Sequence, residues 1–136
     1  MRLTRLGLIA GLVLATTLLV VAAPASAHKI RFARSVSGSL NPSTGPPFDS
    51  ASGTVGSPNA RCRRNSLVTL WRVTGSGPTR VGANNTGGNN TWSINPPGNF
   101  PNGDYFLTVR RKVLRNTARH HHVCPFLRTN TITITN

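Results

Sequence analysis

Beyond residue 27 the chain is cut at short intervals by clusters of turn-forming residues: "NPSTGPP" at 41–47, "GSGP" at 75–78, "NNTGGNNT" at 84–91 and "NPPGNFPNGD" at 95–104. Glycine takes positive φ without a steric cost, proline fixes φ and donates no hydrogen bond, and asparagine bonds its own backbone. Such clusters therefore end regular elements. Between them no stretch sustains an apolar 3.6-residue period, which argues against helices. What remains alternates with a period of two. Residues 30–36 set Ile30 and Phe32 against Arg31 and Ala33 and read as an edge strand. Residues 48–55 offer Phe48, Ala51, Gly53 and Val55 as a second. Residues 66–73 are the strongest, with Val68 and Leu70 on one face and Leu67, Thr69, Trp71 and Val73 on the other. A short strand at 79–83 follows, then Trp92 and Ile94 on one face of another. Tyr105, Leu107 and Val109 alternate with Phe106, Thr108 and Arg110 along 105–113. Residues 114–128 read as a connection, and 131–135 close the chain with Ile132 and Ile134 together. About seven short strands at intervals of about 8–20 residues predict an all-β fold, a single β-sandwich.

The first 27 residues have a different character. Arg2 and Arg5 precede an apolar run over 6–23, Pro24 breaks it, and Ala25-Ser26-Ala27 places small residues where a signal peptidase needs them. This predicts a secretory signal peptide over 1–27, cleaved between Ala27 and His28, with the β-sandwich domain at 28–136. No later segment is apolar enough for a membrane span, so the expected location is secreted and extracellular. The arginine bias fits a bacterial source. In that oxidising compartment Cys62 and Cys124 are expected to pair. The bond would close a loop of about 60 residues, which chain entropy alone makes worth about 4 kcal/mol.

The order of motifs carries a resemblance. "SGTVGS", "CRRNSLVTLWRV", "GPTRVGANNTGGNNTWSI", "NGDYFLTVRRKV", a second Cys and "TNTITI" follow one another over residues 50–136. This resembles the small secreted bacterial domains related to the carboxypeptidase regulatory-like, transthyretin-like family. Those share a "GxV" strand, a Cys, a "VxLWR" strand, a hairpin ending in Trp, a "GxYxLxV" strand and a second Cys. The family's hairpin carries an Asp before its glycine, and "NTGGNNTW" has none. The resemblance implies an immunoglobulin-like sandwich and a non-enzymatic module used for binding, spacing or folding support, with no catalytic residues to carry over.

Charge points to the partner class. Removal of Arg2 and Arg5 with the leader leaves fourteen Lys and Arg residues against Asp49 and Asp104 alone. Such a field favours anionic partners. Two acids, both in or beside predicted turns, make poor material for paired-carboxylate catalysis. No Gly-x-Ser-x-Gly elbow is present, and bonded cysteines supply no nucleophile. The expected disulfide would gather Arg61, Arg63 and Arg64 beside Arg110, Arg111, Lys112, Arg115, Arg119 and Arg128, forming an anion-binding patch. An anionic cell-wall or envelope polymer, or a protein partner, is the expected ligand, with no cofactor and a monomeric chain. Nucleic acid is disfavoured by the exported location and by few aromatics among the cations. "RHHHVC" reads as a solvated basic loop. The alternative is a small copper-binding or redox protein, in which His28 joins His120 and His122 as nitrogen ligands.

Overall fold

Strand-forming runs separated by turns build two facing sheets and a third, smaller one beside them. The computed structural model describes residues 28–41 and 49–135. The predicted leader with its Ala27 junction, most of the 41–47 loop, and Phe48 lie outside the described residues. In chain order the elements are β1 (His28–Arg31), β2 (Ser35–Asn41), β3 (Ser50–Gly56), α1 (Ala60–Arg63), β4 (Leu67–Thr74), β5 (Gly77–Asn85), β6 (Thr91–Ile94), β7 (Gly103–Val109), β8 (Lys112–Asn116), β9 (His120–Cys124), β10 (Leu127–Arg128) and β11 (Ile132–Ile134).

One layer of the sandwich is β2-β3-β6. The other is β10-β7-β4-β5, with β11 continuing along the same edge of β7 as β10. Every pair in these two sheets is antiparallel. Alternation then selects the core: Ala51 and Val55 from β3, Trp92 and Ile94 from β6, Val68 and Leu70 from β4, Tyr105, Leu107 and Val109 from β7, and Ile134 from β11. These are the inward faces that the sequence pattern predicts. Each large side chain so buried contributes about 1.5–3 kcal/mol.

Two local devices fix how the layers meet. Trp92 lies opposite Gly53, which lies opposite Gly38. A Cβ on Gly38 would run into the indole, and one on Gly53 into the backbone of Ser37. Gly38 thus leaves the room the indole occupies, and Gly53 lets β2 and β3 approach closely. At the other corner Tyr105 donates its hydroxyl to the carbonyl of Pro101, four residues upstream. A back-bond of this kind also occurs at the tyrosine corner of some β-sandwiches. Phe100, fully buried although it lies in a loop, packs edge-on against Tyr105 with centroids 5.6 Å apart. Its N–H donates to the buried carboxylate of Asp49, so this acid anchors the 95–102 loop to the start of β3.

The third sheet, β1-β9-β8, departs from the sequence reading. Residues 30–36 do not form one strand. The chain leaves β1 after Arg31, Phe32 donates its N–H to the carbonyl of Val123 (3.0 Å), and β2 starts at Ser35 in a different sheet. The predicted 105–113 strand likewise ends at Val109, and β8 starts at Lys112. The predicted connection over 114–128 is a hairpin. Its turn is closed by reciprocal bonds between Thr117 and His120, at 2.8 and 3.2 Å. Polar residues on both faces hide this hairpin from an apolar-periodicity argument; among β9 residues only Val123 and Cys124 are buried.

The disulfide Cys62–Cys124 is formed, with Cα atoms 5.5 Å apart and both residues wholly buried. It joins α1, which connects β3 of one layer to β4 of the other, to the end of β9. Asn59 caps α1 through its side-chain oxygen, which accepts from the Arg61 N–H at 2.9 Å. Ser66 donates to the Cys62 carbonyl, also at 2.9 Å.

Candidate functional site

The basic residues about the disulfide are held by neutral acceptors. Lys112, opposite Cys124 in the β8–β9 register, donates to the carbonyls of Arg61 (3.0 Å) and Arg64 (3.1 Å). This satisfies carbonyls at the end of α1, where a cation is favoured. Arg63 donates to the Ser57 carbonyl at 3.0 Å. Arg61 and Arg64 remain exposed, as do Arg110 and Arg111. A shallow groove between Asn65, Asn85 and the run Arg110–Lys112 opens on this end. Asp104 stands at the opposite end of β7 from Arg110, about 20 Å away at about 3.3 Å per residue, and accepts from Thr133 at 2.7 Å. Asp49 likewise lies at the far end of β3 from α1. Both acids therefore sit at one end of the sandwich and these cations at the other.

Arg34 belongs here although sequence reasoning leaves it out. Its Nη1 donates to the carbonyls of Arg110 (2.9 Å) and Pro125 (3.2 Å), while Nε and Nη2 are sheltered without a partner. Burial pushes its pKa below the ordinary guanidinium value. No signal in the sequence marks it, because Arg34 lies inside the 30–36 run that reads as one strand.

The remaining predicted patch residues separate. Arg115 and Arg119 lie toward the far end of the β8–β9 hairpin, Arg115 opposite His122 and Arg119 in the turn. Arg128 is turned onto the ring of Phe106, its guanidinium carbon 3.8 Å from the centroid. That ring stacks on Trp71 at 6.4 Å and 14° on the outer face of the large sheet, beside exposed Phe126. Arg111 approaches His121, Nη2 to Nε2 3.5 Å, in a groove shared with Lys29 and Arg31.

The histidines divide by strand alternation. β1 pairs parallel with β9, His28 opposite His120 and Ile30 opposite His122. His28, His120 and His122 thus share one face, and His121 takes the other. The three rings stand edge to face, with centroids 6.3 Å (28–120), 6.2 Å (28–122) and 5.8 Å (120–122) apart. Phe32 backs His122 at 6.0 Å. The Nε2 of His122 is sheltered and unpartnered. Desolvation first, then the positive fields of His120 and Arg115, hold the His122 pKa below the ordinary imidazole value. His121 instead meets the Asn116 side-chain oxygen at 2.9 Å. The predicted solvated loop is therefore a strand presenting two different faces.

Fold and site together describe a small disulfide-linked β-sandwich with an extra hairpin sheet carrying cations and imidazoles. No family model, curated protein or solved structure matches the chain. Among the described residues no helix is long and apolar enough to cross a membrane.

Proposed function

We propose that this protein is a secreted, non-enzymatic binding module of immunoglobulin-like, transthyretin-like kind that holds an anionic polymer of the cell envelope at its arginine-rich end. The observation that carries this reading is the placement of Lys112 across the disulfide. It bonds the carbonyls of Arg61 and Arg64 and so holds α1 and the β8–β9 hairpin together at one cation-rich end. Arg61, Arg64, Arg110 and Arg111 surround that junction, with the acids at the opposite end. Guanidinium forks suit phosphate and carboxylate groups better than ammonium does, and twelve of the fourteen cations beyond residue 27 are arginines. The back-bond of Tyr105 to Pro101 and the Cys-strand-hairpin-strand-Cys order support the kinship.

The test is retention on immobilised, purified wall polymer across a salt gradient. The Arg61→Glu/Arg64→Glu pair should lower retention by about tenfold or more at low ionic strength, where steering fields act at full strength. Arg80→Glu, an exposed β5 residue away from the junction, should have little effect. Unchanged retention in the folded pair variant would refute the reading.

A further inference from the structure

We propose that His28, His120 and His122 form a binding site for one divalent transition-metal ion of the imidazole-seeking kind, Zn(II) or Cu(II). The placement is enforced by backbone geometry. Parallel pairing sets His28 beside His120, and the two-residue repeat of β9 brings His122 to the same face. The His28 N–H bond to the Arg119 carbonyl, 2.9 Å, holds β1 in that register. Phe32 forms an apolar back to the cluster, and the sheltered Nε2 of His122 has no protein partner. A polar atom in that state is what a ligand satisfies.

The donor set selects the ion. It offers three imidazoles with no carboxylate, and the one sulfur donor on this face, Cys124, is bonded to Cys62. Oxygen-seeking Ca(II) and Mg(II) find nothing here, whereas imidazole suits zinc and copper. As they stand, no three His, Cys, Asp or Glu side chains among the described residues are placed to hold a metal ion, so the rings must rearrange on binding. With metal–nitrogen distances of about 2.0–2.1 Å, ligand ring centres would stand about 5 Å from one another. The observed separations of 5.8–6.3 Å must close by about 1 Å when the ion binds. Three protein ligands leave a fourth position for water or a small anion. Arg115, opposite His122 on β8, puts one positive charge beside the ion and weakens its binding.

Calorimetric titration of the purified protein with Zn(II) alone and with Cu(II) alone tests this, with Ca(II) as the control. The expected result is one ion per chain for either metal. His28→Ala, His120→Ala and His122→Ala should each weaken it by about tenfold or more. His121→Ala should leave affinity unchanged, and Arg115→Ala should tighten it. The absence of saturable one-to-one binding would overturn the proposal. So would a His121→Ala loss as large as that of His122→Ala, because binding would then follow histidine content and not the shared face. Weaker binding in Arg115→Ala would also overturn it, since the site would then behave as one for anions.

Discussion

Removing the disulfide is the sharpest perturbation available, because one bond joins the hairpin sheet to the sandwich. The bonded residues are 62 apart in sequence. In the chain-entropy account, freeing a loop of that length gives the unfolded state an advantage of about 4 kcal/mol at 25 °C. A domain of this size has about 5–15 kcal/mol in total, so the loss is a large share of it. With a urea slope of about 1–2 kcal/mol per molar, the midpoint should fall by about 2–4 M in the Cys62→Ala/Cys124→Ala variant. Both sulfurs are buried, so a small cavity term adds to the shift and does not offset it. Equilibrium urea unfolding followed by tryptophan fluorescence measures this directly. A second measurement separates mechanisms. Without the bond, β8–β9 is held to the sandwich by Lys112 on α1 and by Arg34 on the carbonyls of residues 110 and 125. Amide exchange in β9 should then accelerate more than in β4. A midpoint shift below about 0.5 M at unchanged slope would refute the entropic reasoning. Equal acceleration in β4 and β9 would refute the view of the hairpin as a separately tethered arm.

Other outcomes follow from single contacts. Gly38→Val places carbon where the Trp92 indole lies; it should cost about 1–3 kcal/mol by overpacking and red-shift the tryptophan emission, whereas Gly75→Val, with open space around it, should stay within about 0.5 kcal/mol. Tyr105→Phe removes the hydroxyl bond to the Pro101 carbonyl and should cost about 1 kcal/mol in urea unfolding. For His122 the folded pKa is depressed below the ordinary 6.5 by desolvation and by His120, Arg115, His28 and His121. The unfolded chain therefore binds the proton more readily, so this residue's contribution is intact above that pH and is lost as pH falls below it. Chemical unfolding across that range should show the decline in metal-free protein, and His122→Gln should flatten it.

The sandwich was legible because its chemistry repeats with period two. Val68 and Leu70, Trp92 and Ile94, and Tyr105, Leu107 and Val109 each declare an inward face, and all are buried. The disulfide followed from the cysteine count and the expectation of export. The third sheet was not legible, for a physical reason. Its strands lie outside the main core cluster, and with only Val123 and Cys124 of "RHHHVC" buried, adjacent in sequence, there is no periodicity to read. The bulge between Val113 and Arg115 further shifts the alternation of β8. The patch was legible as charge and not as geometry. Parallel pairing of β1 with β9 is a long-range choice that no local pattern announces, yet it decides that His28 meets His120, that Lys29 meets His121 and that Arg31 meets Val123. Arg128 was drawn elsewhere by the ring of Phe106, an outward-facing residue of β7 that alternation assigns to solvent.

The scarcity of acids has a consequence for every cation in the fold. A guanidinium usually settles by pairing with a carboxylate, which also cancels its charge. Here Lys112 rests on the carbonyls of Arg61 and Arg64, Arg63 on that of Ser57, Arg34 on those of Arg110 and Pro125, and Arg72 on that of Asn102. Arg128 rests on an aromatic face. Carbonyls and rings orient a cation without neutralising it. The side chains are thereby held in place while their field persists, and cations so held near one another repel at a cost that screening only partly removes. An anionic polymer relieves that cost over several sites at once, and a free carboxylate cannot. If the proposed reading holds, the positioning of Lys112, Arg63 and Arg34 by neutral groups is a reason for the basic end to favour an extended polyanion over a small acid.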